Sequence, residues 1–135
     1  MLVVDASVAL AWCFADEATT ATDALAVQAR RDGAVVPAHW LLETLNALVV
    51  AERRGRIERS DVDAHARTLE DLGVEVDGET GPRAAHATLA LARREKLSVY
   101  DAAYLELALR RGLPLATLDG DLARAARKAG VPVLP

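Results

Sequence analysis

The sequence predicts an α/β domain built on a short parallel β-sheet with helices on both faces, and three observations lead there. Five short apolar runs alternate with longer segments whose apolar residues recur at helical spacing, the order of strand–helix–strand crossovers. Gly33, Gly55, Gly73, Gly112 and Gly130 punctuate the chain, mostly where a helix should end. The 135 residues suit one domain, and no repeat, low-complexity tract or linker divides them, so residues 1–135 are expected to form one unit.

The first strand is read at 2–5, where Leu2, Val3 and Val4 run into Asp5; a small-residue helix follows at 6–14. A helical pattern at 18–31 leads to "AVVP" at 34–37, a buried strand. Helices are expected at 39–54 and 60–71, then the strand "VEV" at 74–76. Helices at 82–95 and 99–111 precede "PLATL" at 114–118, and a helix at 121–129 precedes the closing strand "VPVL" at 131–134. Hydrophobic residues make up 52% but aromatics only 4%, so the core must be aliphatic and Ala-rich, which favours closely packed helices.

Composition also excludes several function classes. The lone Cys13 rules out an internal disulfide and suits a reducing cytoplasm; it reads as a small buried hydrophobe rather than a nucleophile. The N-terminus lacks the basic region of a signal peptide. Pro37, His39, Glu43 and Asn46 interrupt the apolar stretch at 33–51, which argues against a membrane span. A net charge of −4 speaks against a generic nucleic-acid coat, though not against a nucleic-acid enzyme whose acids are neutralised by metal.

The acids carry the functional signal. Asp5 and Asp119 both follow strands, and open parallel sheets bind ligands beyond the carboxyl ends of their strands. Either one alone reads as a helix cap. Asp101 lies in "SVYDAAYLELALRRG", where Glu106 and Arg110 mark the solvent face as an i,i+4 pair. At about 100° per residue Asp101 falls roughly 180° around the helix from Arg110, on the face of Tyr104, Leu105 and Ala108. An inward carboxylate needs a cation, a basic partner or a raised pKa.

Glu43 repeats the pattern in "HWLLETLNALVVAERRG", with Asn46 on the same face one turn further along. A buried salt bridge to an arginine is the competing account of Glu43. Four carboxylates with no lysine nearby suit a hard divalent cation, Mg²⁺ or Mn²⁺, able to activate water and stabilise phosphoryl charge. Zinc is disfavoured, because His39, His65 and His86 are scattered and read as surface or structural residues.

Together, "VVDASV", "HWLLETLNAL", "VYDAAYLELALRRGLPLATLDGDL" and the closing "AGVPVL" resemble the PIN-domain ribonucleases, and among them the toxins of VapBC toxin–antitoxin pairs. The resemblance spans essentially the whole chain. It implies a PIN-like fold and Mg²⁺- or Mn²⁺-dependent endoribonuclease activity. By the same resemblance Asp5, Glu43, Asp101 and Asp119 match the family's acids, with Asp121 an accessory candidate beside Asp119. Ser7 matches a hydroxyl position beside the first acid. With Asn46 and Thr117 it is a candidate for orienting ligands or water, although local turn or helix hydrogen bonds explain these three equally well.

The resemblance further implies an RNA substrate, a homodimer and a cognate antitoxin lying across the site. Arg53, Arg54, Arg56 and Arg59 could face RNA phosphates, but neutralisation by Glu52 and Glu58 at solvated helix ends is the simpler reading. Trp12, Phe14, Trp40, Leu41, Leu48 and Val49 are expected to leave an apolar interface exposed. Two other classes compete: an Mg²⁺-binding receiver-type signalling domain and a non-catalytic module of the same fold. A receiver would need an adjacent acid pair after the first strand, and a haloacid-dehalogenase-like phosphatase a second Asp where Ser7 stands.

Overall fold

The computed structural model describes all of residues 1–135. Five parallel strands form one sheet in the order β3-β2-β1-β4-β5: β1 Leu2–Val4, β2 Ala34–Val36, β3 Glu75–Val76, β4 Leu115–Ala116 and β5 Val133–Leu134. Leu2, Val3 and Val4 are all 0% exposed. Because alternate residues of a strand point to opposite faces, burial of all three means that β1 is covered on both sides.

The helices are α1 Ala6–Cys13, α2 Thr20–Asp32, α3 Trp40–Arg53, α4 Arg59–Asp71, α5 Thr80–Arg83, α6 Leu89–Glu95, α7 Val99–Arg111 and α8 Gly120–Lys128. A π-helical turn, Ala84–Thr88, joins α5 to α6, so the helix expected at 82–95 is wider in its middle and starts at Thr80. Pro82 permits the earlier start, since it occupies the first turn, where its missing N–H needs no partner. The other expected elements are present, with ends moved by a residue or two. No helix is long and apolar enough to cross a membrane.

Strand order places the site. The chain winds from β1 through β2 to β3 on one side, then returns to add β4 and β5 on the other. The order therefore reverses between β1 and β4, where diverging connections open a crevice at the carboxyl ends. The two strands are in register, Val3 beside Leu115 and Val4 beside Ala116, and Asp5 N donates to Ala116 O at 2.9 Å. Asp5 and Thr117 thus leave the sheet side by side.

Helix α7 is enclosed almost all round: every residue from Ala102 to Ala108 is buried. This corrects the expectation that Glu106 lies on a solvent face. The pair with Arg110 forms, Nε to Oε1 at 2.8 Å, but Glu106 is 5% exposed. Arg110 also makes a bidentate bond to Asp77 beyond β3, at 2.7 and 3.2 Å. One guanidinium thereby joins an edge strand to the central helix. The expected apolar interface is corrected too, because Phe14, Trp40 and Leu48 are 6, 2 and 0% exposed and belong to the core. The facing surfaces of α1 and α3 absorb them.

Replacing Arg110 by Met would strand two buried carboxylates without their cation. A loss of about 3–5 kcal/mol is expected, measurable by urea unfolding at neutral pH. An unchanged midpoint would show that the network carries no stability.

Candidate active site

Asp5 occupies the N-cap position of α1 with extended backbone, yet its side chain makes no capping bond. It accepts instead from Thr117 Oγ1 at 2.6 Å and Ser7 Oγ at 2.7 Å, both on Oδ2. Those hydroxyls are held in turn: Ser7 Oγ accepts from Leu118 N at 2.9 Å, and Thr117 Oγ1 from Asp119 N at 3.0 Å. The capping explanation of Asp5 is therefore excluded. Ser7 holds this carboxylate from two residues along the chain, and Thr117 reaches it across 112 residues of sequence. Burial raises the pKa of Asp5; the Thr117 and Ser7 bonds oppose the rise, and the charge of Asp119 adds to it.

Glu43 projects from α3 to the same place. Tyr104 Oη donates to its Oε2 at 2.8 Å, and His39 Nε2 lies 3.4 Å from the same oxygen. Burial raises the pKa of Glu43, Tyr104 counters it, and Asp5 raises it further. Asp101 enters from the first turn of α7, where its N–H donates to the N-cap Ser98 Oγ at 3.0 Å. Burial and then the charges of Asp5, Asp119 and Glu43 push its pKa up to about 6.

One carboxylate oxygen each from Asp5, Glu43 and Asp101 lie within 4.8 Å of one another. No lysine or arginine is paired with any of the three, so the salt-bridge account of Glu43 is not realised. Converging hard oxygens, partly desolvated and without a counter-charge, fit a divalent cation. Asp119 stands just outside the trio. It caps α8, accepting from Leu122 N at 2.8 Å, yet is close enough for its charge to raise both Asp5 and Asp101. Asp121 is apart from the cluster, on the surface with Arg124 at 2.8 Å. Asn46 is exposed and shares with Glu43 the lining of an adjoining groove.

Two residues at the site are not singled out by the sequence. Tyr104 appears there only as a neighbour on the Asp101 face, but it is 0% exposed and holds Glu43. His39, expected at the surface or in a structural role, packs edge-on against Tyr104 at 5.2 Å between ring centroids. Burial lowers its pKa, opposed by a bond to the Tyr100 backbone and by the charges of Asp101 and Asp5. The readable signals were spacings: Tyr104 three residues after Asp101, His39 four before Glu43. The arginine cluster also differs from expectation. Arg56 pairs with Asp16 and Glu17 and lies over the Phe14 ring at 3.9 Å, rather than being neutralised by Glu52 or Glu58.

A five-stranded parallel sheet with buried acids at its switch point is the architecture of a PIN domain. The PIN-domain family model matches residues 2–128, and the chain belongs to that family. Ribonuclease VapC3 of Mycobacterium tuberculosis, in strains CDC 1551 / Oshkosh and ATCC 25618 / H37Rv, is 38% identical over 110 residues, covering 80% of this chain and 77% of that protein. The fold is shared with PAE2754 from Pyrobaculum aerophilum, at 22% identity and TM-score 0.71 over 98% of this chain and 87% of that one. It is shared as well with VapC20 of Mycobacterium tuberculosis, a sarcin–ricin loop cleaving toxin, at 23% identity and TM-score 0.69 over all of both chains.

The repulsion can be tested without turnover. Folded and metal-free, Asp101 keeps its proton to about pH 6; unfolded, it loses it near 3.8. The folded state thus binds more protons in that window, so stability falls as pH rises through it and stays lower above it. Asp101→Asn in EDTA near neutral pH should therefore melt above the parent, by about 1 kcal/mol after solvent screening. Added divalent ion should reverse the order, stabilising the parent more than the variant. A variant that melts at or below the parent in EDTA would mean that the acids do not oppose folding. Tyr104→Phe removes the bond to Glu43 with little lost packing and should weaken divalent-ion binding about tenfold by calorimetric titration. Unaltered affinity would show that the phenol does not position Glu43.

Proposed function

We propose that this chain is a metal-dependent endoribonuclease, the toxin of a type II toxin–antitoxin pair. The observation that carries the reading is the convergence of Asp5, Glu43 and Asp101, from β1, α3 and α7, with no cationic side chain among them. The identity to a protein named Ribonuclease VapC3 supplies the substrate class. Ser7, donating to Asp5, stands where a dehalogenase-like phosphatase would need a second acid, and no adjacent acid pair follows β1 as in a receiver.

Asp5, Glu43 and Asp101 would hold Mg²⁺ or Mn²⁺, with Asp119 beside them as the fourth acid. A bound ion would neutralise the carboxylates where the RNA phosphate docks, lower the pKa of water and stabilise charge on the phosphoryl oxygens. The protein's own contribution is orientation. Ser7 and Thr117 fix Asp5, Tyr104 fixes Glu43, and the helix start at Ser98 fixes the backbone of Asp101. Carboxylates held in this way need little rearrangement before binding, the general advantage of a preorganised site. Asp121, engaged by Arg124, has no part in the proposed mechanism.

Residues 1–135 act as one nuclease unit in the cytoplasm, kept inert by a cognate antitoxin. Family likeness supports the antitoxin. The homodimer rests on that likeness alone, since the apolar residues first read as its interface are largely in the core.

Purified parent, Asp5→Asn and Asp101→Asn proteins on mixed cellular RNA decide the matter. Divalent-ion-dependent cleavage is expected from the parent, with a loss greater than about 100-fold in both variants, since even outer partners of a metal site are worth about 10–100-fold. Equal cleavage by all three would remove Asp5 and Asp101 from the chemistry.

A further inference from the structure

Beside the acid cluster lies an open groove of about 430 Å³ lined by His39, Leu42, Glu43, Asn46 and Tyr100. Its apolar members are conspicuously uncovered: Leu42 is 73% exposed and Tyr100 66%. The chain has few aromatic residues, and the others are placed differently. Phe14, Trp40 and Tyr104 are in the core and Trp12 is half-buried, so Tyr100 is the one aromatic residue that is mostly exposed. It directly precedes Asp101, and its ring lies 5.7 Å from that of His39, tilted by 52°.

We infer that this groove is a subsite for an unpaired nucleobase of single-stranded RNA, with Tyr100 as the stacking surface and Leu42 as an apolar contact. The inference rests on the ribonuclease reading and deepens it. Glu43 belongs to both the acid cluster and the groove, so a phosphate held at the cluster places its neighbouring base within reach of Tyr100. The groove has no lysine or arginine in its lining, so it is not built to grip phosphate. What it offers is a π-face and an aliphatic side chain, which take any base by stacking. Bases inside a duplex are already stacked and paired; only a splayed base can enter. The subsite therefore selects single-stranded segments without reading their sequence. A protein segment lying across the site, such as the antitoxin, is the competing occupant, and the titrations below separate the two.

The test uses full-length protein. In the Asp101→Asn background, a labelled single-stranded oligoribonucleotide and its duplex are titrated by fluorescence anisotropy, with Tyr100 intact or changed to Ala, Phe or Trp. Preference for the single strand is expected. Tyr100→Ala should weaken it on the order of tenfold, whereas Tyr100→Phe and Tyr100→Trp keep it. In the otherwise unaltered enzyme, Tyr100→Ala should raise KM for single-stranded RNA by a similar factor with kcat little changed. Melting temperature controls for folding. If the parent cleaves no RNA, the nuclease reading falls. If it cleaves and Tyr100→Ala cuts with the parent's KM and affinity, the subsite alone falls. Loss of a protein partner's grip with RNA affinity retained would likewise overturn it.

Discussion

Repulsion among carboxylates at one end of the sheet is the constraint around which this fold is arranged. Asp5 follows the central strand, Glu43 and Asp101 arrive on helices from opposite halves of the sequence, and Asp119 begins a fourth segment. Asp5, Glu43 and Asp119 each raise the proton affinity of Asp101, and Asp5 and Glu43 are raised in turn by Asp119 and Asp5 respectively. No isolated element would hold such a cluster; the closely packed strands and helices beneath it must impose the geometry. The aliphatic sheet supplies that support, with Val3, Val4, Leu115 and Ala116 all fully buried directly behind the crevice. Hydroxyl and phenol donors then moderate the charge without cancelling it, leaving the cluster electrostatically incomplete.

A second pair of buried acids shows the opposite solution. Asp77 and Glu106 are as desolvated as Asp5, but Arg110 bonds both, and the charge is satisfied inside the protein. The contrast separates structural acids from ligand-seeking ones by their partners rather than by burial. Removing Arg110 from its network leaves buried charge unpaired, whereas removing a carboxylate from the Asp5 cluster relieves repulsion. The same residue type thus supports the fold at one site and strains it at the other.

Much of this was legible from the chain. The alternation of short apolar runs with helical patterns defined a parallel sheet, and the inward phase of Asp101 and Glu43 pointed to a common site. The misreadings arose where tertiary packing overrode local pattern. Glu106 and Arg110 have the spacing of a surface pair, but α7 is covered on nearly every side, and the distant Asp77 completes their network. Phe14, Trp40 and Leu48 looked excessive for a small core because the packing of α1 against α3 has no one-dimensional signature. Tyr104 escaped notice since an aromatic on an apolar helix face is ordinary core; only the 2.8 Å bond to Glu43 reveals its second role.

Asp5 and Asp119 show why strand-end acids are ambiguous in sequence. Both occupy N-cap positions with extended backbone, and both precede small-residue helices. Asp119 behaves as a cap, giving an oxygen to Leu122 N. Asp5 does not, because Ser7 and Thr117 draw its carboxylate to the crevice instead. The difference lies in the neighbouring hydroxyls, one supplied locally and one by the adjacent parallel strand. Thr117 can reach Asp5 only because β1 and β4 are side by side, so the topology that opens the crevice also turns its first acid toward the other carboxylates.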